Sequence, residues 1–263
     1  MVQPSPVGAN VTEADLDFVV GEAVPGALNK ERLRQLIRED GQFRRAIVGD
    51  EKVFQRVMND DEVFLKISPV LYFEILLHNA LKELEAATHT VEQAGKQAIP
   101  VFDTEEVVEL LGRPEVLDYL AQMLASFTRI QSYTVPVRVK RGILRRVRYN
   151  DMDIDSLVRF CATADESHRF SFYKRIADVC LFISGLFPGS WELRPMSVRR
   201  LPRSMEDYER EGRQFYGLAQ KHPTAQALDL SEVLGLLRQS QQFLRRILLG
   251  VEDCETQSLR LFF

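Results

Sequence analysis

Apolar residues recur at helical spacing along most of this chain, and polar starts and stops punctuate them. Thr12, with Glu13 and Asp15 behind it, marks a helix start before DLDFVV. Asn29 is placed to cap KERLRQLIRE. A short internal repeat follows. Asp50, Val53, Phe54 and Val57 recur ten residues on as Asp60, Val63, Phe64 and Ile67, and DGQFRRAIV is a weaker echo. Each unit predicts a helix of about two turns.

Ser68-Pro69 opens the next helix, since proline suits the first helical turn. VLYFEILLHNALKELEAA is apolar over most of its circumference, so it belongs at the centre of the fold. Its polar stripe is Glu74, His78, Lys82 and Glu85, which reads as a solvated face or a local hydrogen bond. Residues 88–101 read as a polar connector. Asp103 to Glu106 then caps VVELLG, with Gly112 as its stop, and Pro114 opens EVLDYLAQMLASFTRI.

The period changes between Tyr133 and Tyr149. Val135, Val137 and Val139 alternate with Thr134, Pro136 and Arg138, Lys140-Arg141-Gly142 can turn, and Ile143 to Tyr149 can return. This stretch is the only β element the pattern predicts, a two-stranded hairpin with Pro136 suited to an edge. Helical spacing then resumes. Asp153 or Asp155 caps SLVRFC, and a Thr163–Glu166 capping box starts a long apolar helix through Phe187, ended by Pro188 and Gly189. WELRPMSVRRLPRS is irregular. Ser204 and Asp207 start another helix, which His222-Pro223 ends. Thr224 starts a single final helix carrying Leu228, Val233, Leu234, Leu237, Phe243, Leu244, Ile247 and Leu248. The expected fold is all-α: a multi-helix globular domain of nine or ten helices with one small β-hairpin near 133–149. Residues 1–10 form a loose tail and 11–263 a single domain, with 11–131 and 132–263 as the alternative division.

FISGLFP followed by DYEREGRQFYGLAQ, together with PEVLDYLAQMLASFTR, resembles a bacterial all-helical family with no assigned activity. The resemblance spans about residues 60–225 through structural-looking positions. It implies a helical fold and no chemistry.

Charge divides unevenly. Residues 1–130 hold 13 Lys+Arg against 22 Asp+Glu, and residues 131–263 hold 21 against 16. Six cations crowd the hairpin segment: Arg138, Lys140, Arg141, Arg145, Arg146 and Arg148, followed by Asp151, Asp153 and Asp155. A second basic loop, 194–203, contributes Arg199, Arg200 and Arg203. These residues are candidate contacts for a protein partner or a polyanion. Internal pairing with the aspartates and the acidic first half is the favoured reading, a protein-binding surface the next, and nucleic acid the last.

Catalytic signatures are absent: there is no P-loop, dinucleotide turn, GxSxG or HExxH. Glu74 and His78 lie four apart, but the pair is not duplicated as a di-metal helical bundle requires. No metal or cofactor is expected. Cys161, Cys180 and Cys254 fit a reducing, cytoplasmic setting, with Cys180 a buried small hydrophobe. No apolar run is long enough to span a bilayer. Leu261, Phe262 and Phe263 close the sequence and suggest self-association as a homodimer. The leading function is therefore a non-enzymatic helical interaction or assembly protein. The alternatives are a nucleic-acid binder using loops 138–148 and 194–203, and an enzyme or ligand binder assembled from His78, Cys161, His168 and Trp191.

Overall fold

The computed structural model describes residues 11–60, 62–94, 97–101, 103–129, 132–140, 143–186 and 203–254. The described residues are predominantly helical, with thirteen α-helices rather than nine or ten. They divide into two compact units, one of residues 1–128 and 246–263, the other of residues 129–245. The loose tail expected at 1–10 lies outside the described residues.

In the first unit, α1 (Glu13–Ala23) begins with a reciprocal cap. The Asp15 backbone N–H donates to Thr12 Oγ1, and the Thr12 N–H returns to the Asp15 carboxylate. The second oxygen of Asp15 accepts from the Ser68 N–H at 2.6 Å, so one buried carboxylate fixes the starts of α1 and α5 together. Asn29 caps α2 (Lys30–Glu39), Asp40 caps α3 (Gly41–Val48) and Asp50 caps α4 (Glu51–Met58). The second copy of the internal repeat closes only one 3-10 turn, Val63–Leu65, and not an α-helix. Asp60 explains the tighter turn, because its carboxylate takes the Glu62 N–H while also pairing with Lys66 and Arg56.

The central helix is α5 (Pro69–Ala86), started by Ser68 with Pro69 at its first position. Tyr72, Phe73, Ile75, Leu76 and Leu77 are all buried, and α3, α4, α6 (Thr104–Leu111) and α7 (Pro114–Phe127) pack around it. Burial extends to Glu74 and His78, which corrects the solvated stripe; only its C-terminal members, Lys82 and Glu85, are exposed. The connector expected at 88–101 is a second hairpin, β1 (Thr90–Ala94) against β2 (Gln97–Val101). Its alternation is too thin to stand out, since Val91 faces Pro100 and Glu92 faces Ile99 across the ladder.

The second unit starts with β3 (Ser132–Lys140) and β4 (Ile143–Asn150), which pair antiparallel. Asp153 caps α8 (Ile154–Thr163). The capping box expected at Thr163 does not form. Thr163 ends α8, its hydroxyl donating to the Phe160 carbonyl, and α9 (Glu166–Leu186) begins after Asp165. A Ser204–Asp207 capping box starts α10 (Met205–Lys221). The single final helix is three: α11 (Pro223–Ala227), α12 (Ser231–Gln239) and α13 (Gln241–Cys254). The first break is at Asp229, whose φ of 55° is left-handed, and the Leu230 N–H reaches back to the Ala225 carbonyl as in a Schellman closure.

Packing in this unit depends on close helix approach. A methyl at Gly212 of α10 would sit 2.8 Å from Gln241 Oε1 and 3.2 Å from the Cys180 Cβ of α9. At Gly235 of α12 it would sit 2.5 Å from Gln220 Nε2 of α10. At Gly212 the Cys180 Cβ limits the room, whereas at Gly235 the Gln220 amide would have to swing aside.

Candidate functional site

The hairpin β3–β4 is the sequence feature with the most to reveal, because register decides which residues share a face. Opposed residues in an antiparallel ladder lie on one face, and faces alternate along each strand. Ser132 opposes Asn150, Thr134 opposes Arg148, Pro136 opposes Arg146 and Arg138 opposes Leu144. Tyr133 opposes Tyr149, Val135 opposes Val147 and Val137 opposes Arg145 on the other face. The register thus sorts the segment into an arginine, hydroxyl and amide face and a largely aromatic and aliphatic face. Beyond Arg138 the ladder shifts, and Lys140 opposes Ile143. Ser132, Arg146 and Asn150 are exposed, and all three belong to the cationic face.

The aspartates that follow each have partners beyond the hairpin. Asp151 accepts from Arg175 at 2.6 Å, Asp153 caps α8 and takes the Ser156 hydroxyl, and Asp155 accepts from Arg203 at 2.7 Å. Arg203 also donates to Glu211 at 3.0 Å. Arg203, expected on a polyanion surface, therefore ties α8 to α10. Arg141, Arg194, Arg199, Arg200, Trp191 and the terminal Leu261, Phe262 and Phe263 lie outside the described residues.

Two buried ionic centres were invisible in the sequence. In the first unit Glu74, 2% exposed, accepts from Arg44 Nη2 at 2.5 Å. Burial pushes the Glu74 carboxyl above its usual range against the pull of Arg44. Asp118 of α7 is likewise pushed up by burial, against Arg44 and Arg45. His78, one turn along α5, is 8% exposed, and its Nε2 is buried with no hydrogen-bond partner among the described residues. Burial, with Arg45, Lys82 and Arg44 nearby, lowers its pKa to about 4, so the ring is neutral at pH 7. A methyl at Gly49 would make ordinary contact with His78, 3.7 Å from its Cβ and Cγ, and the Gly49 carbonyl accepts from Lys82. Arg44 lies thirty residues before Glu74, a separation no local motif encodes.

The second centre is in the other unit. Asp178 of α9, 2% exposed, accepts from the Tyr216 hydroxyl at 2.8 Å and from Lys174 at 2.7 Å. These groups join α9 to α10 within the core. Cys161 and His168 are not brought together as a reactive pair: Cys161 is buried near the end of α8 and burial raises its thiol pKa, whereas His168 is exposed on α9. Cys180 is fully buried and its thiol is pushed far up by burial. His222 is structural: its Nδ1 accepts from the Thr224 N–H, which leaves Nε2–H to donate to the Glu166 carbonyl at 3.1 Å.

Among the described residues no three His, Cys, Asp or Glu side chains gather as a metal site, and no helix is long and apolar enough to cross a membrane. No protein-family model, curated protein or solved structure matches the chain.

Proposed function

We propose that this chain is a helical interaction protein that acts by contact with a partner, and that the cationic face of β3–β4 is the contact surface. The observation that supports this reading is the register. It gathers Arg138, Arg146 and Arg148 on the face whose described positions are exposed, while the neighbouring aspartates hold partners on α8, on α9 and at Arg203 just before α10. Guanidinium groups carry five donors in a planar fork, a geometry suited to anionic partners. The buried free thiols of Cys161 and Cys180 fit residence in the reducing cytoplasm.

The test is a photo-crosslinking amino acid at Ser132, which is exposed on the same face. A covalent macromolecular adduct is expected in cells, and it should disappear when Arg146 and Arg148 are both changed to Glu. A yield at 132 no greater than at exposed Glu105 of α6, or indifferent to the charge reversal, would sink the reading. The mass of the same purified sample by light scattering reads the homodimer expected from the terminal Leu261–Phe263 segment.

A further inference from the structure

We infer that the partner of this face is duplex DNA, held by the β3–β4 ribbon through its phosphates; the inference rests on the contact surface proposed above. No carboxylate occurs anywhere from Ser132 to Asn150. The polar residue types at the register positions of the cationic face are Ser132, Thr134, Arg138, Arg146, Arg148 and Asn150, all hydrogen-bond donors and none anionic. Such a face suits an uninterrupted polyanion better than a protein surface, where acidic and basic groups mix.

Spacing points the same way. Arg146 and Arg148 are two residues apart on β4, about 7 Å along the strand. Arg138 lies diagonally across the ladder from Arg146, again roughly 7–8 Å away. A row of cations at nearly constant spacing matches anions that repeat along a strand, as phosphates do. The cations on this row are all arginine, whose fork matches phosphate geometry. A two-stranded ribbon is also one of the few protein elements that a major groove about 12 Å wide admits. The deep, narrow major groove of A-form RNA does not admit it, which favours duplex DNA over duplex RNA.

The charge of each unit localises the contact. The unit of residues 129–245 holds 20 Lys+Arg against 13 Asp+Glu, a net +7, while the other holds 14 against 25, a net −11. An acidic unit repels DNA, so attraction concentrates where carboxylates are missing. The pairs Asp151–Arg175 and Asp155–Arg203 fix the acidic segment after β4 to α9 and to the residue before the Ser204 cap of α10.

The experiment is fluorescence anisotropy of a labelled 30-bp DNA duplex against the full-length protein from 50 to 200 mM NaCl. Neutralising three phosphates predicts a slope of log K on log salt of about −2.7, hence roughly 40-fold weaker binding across that range. Arg146→Ala with Arg148→Ala should reduce the slope to about −0.9, and Arg146→Lys with Arg148→Lys should largely restore it. Circular dichroism melts of each variant separate lost contacts from lost fold. A 30-bp RNA duplex should bind at least tenfold more weakly. Absence of DNA binding at 50 mM NaCl, or an equal slope in the alanine variant while its melt is unchanged, overturns the inference. If the Ser132 crosslink captures protein while anisotropy stays flat, the contact surface stands and DNA is the wrong partner.

Discussion

Protonating His78 should destabilise the first unit as pH falls from 6.5 toward 4. The imidazole is 8% exposed, its Nε2 has no partner among the described residues, and its pKa in the folded chain is lowered to about 4 from an ordinary 6.5. A depressed folded pKa means that the unfolded chain binds the proton first. The contribution is complete above pH 6.5 and is lost as pH falls toward 4. At about 1.4 kcal/mol per pKa unit, the loss is roughly 3 kcal/mol. Glu74 and Asp118 work against it, because their raised folded pKa values stabilise the fold increasingly as pH falls. A difference measurement isolates the histidine. Urea unfolding of the natural chain and of His78→Gln is followed from pH 7.5 to 3.5. The stability of the natural chain relative to the variant should drop by about 3 kcal/mol between pH 7 and 4. A constant difference, or an imidazole NMR titration with its midpoint at or above 6.5, would refute the buried neutral ring.

Three further changes probe the interior. Tyr216→Phe removes a 2.8 Å hydrogen bond to the buried Asp178 carboxylate, and should cost about 1.5–3 kcal/mol and lower the melting temperature by roughly 3–12 °C; an unchanged melt would show that the bond contributes nothing. Gly212→Ala places a methyl against Gln241 Oε1 and Cys180, so a loss of about 1–3 kcal/mol is expected in thermal unfolding, and an increase in stability would disprove the close helix approach. Arg44→Met leaves Glu74 buried without that guanidinium and should cost about 3–5 kcal/mol by urea unfolding, whereas adding Glu74→Gln should recover part of it; equal losses in both variants would exclude the pair as the cause.

Local chemistry was legible where a cap and its helix lie within a few residues. Thr12 with Asp15, Asn29, Ser68-Pro69 and Ser204 with Asp207 all start helices by short-range hydrogen bonds that the sequence spells out. Long-range pairing was not legible. Glu74 and His78 sit at the spacing of a solvated stripe, and Arg44, brought in from α3, offsets the burial of Glu74. The break at Asp229 was equally hidden, since the apolar period runs through it and a left-handed residue need not be glycine. At the hairpin, the sequence displayed the cations but not their distribution. Which arginines share a face depends on pairing Pro136 with Arg146, a tertiary fact.

Asp103 carries a consequence for the order of events during synthesis. It accepts from the Thr90 hydroxyl at 2.6 Å nearby and from Arg246, 143 residues later. The unit of residues 129–245 is continuous in the chain, whereas the unit that contains Asp103 closes only when the second half of α13 arrives. As a nascent chain leaves the ribosome, the inserted unit therefore has its whole sequence available first, and the flanking unit waits with Asp103 lacking its distant cation. The delay costs little at equilibrium, because loop-closure entropy grows only by about 0.6 kcal/mol per doubling of length. It matters in time. Stalled chains released at residue 245 should resist protease within 143–186 and 203–245 while residues 103–128 are still cut, and equal protection of these segments would show that the late contact is dispensable.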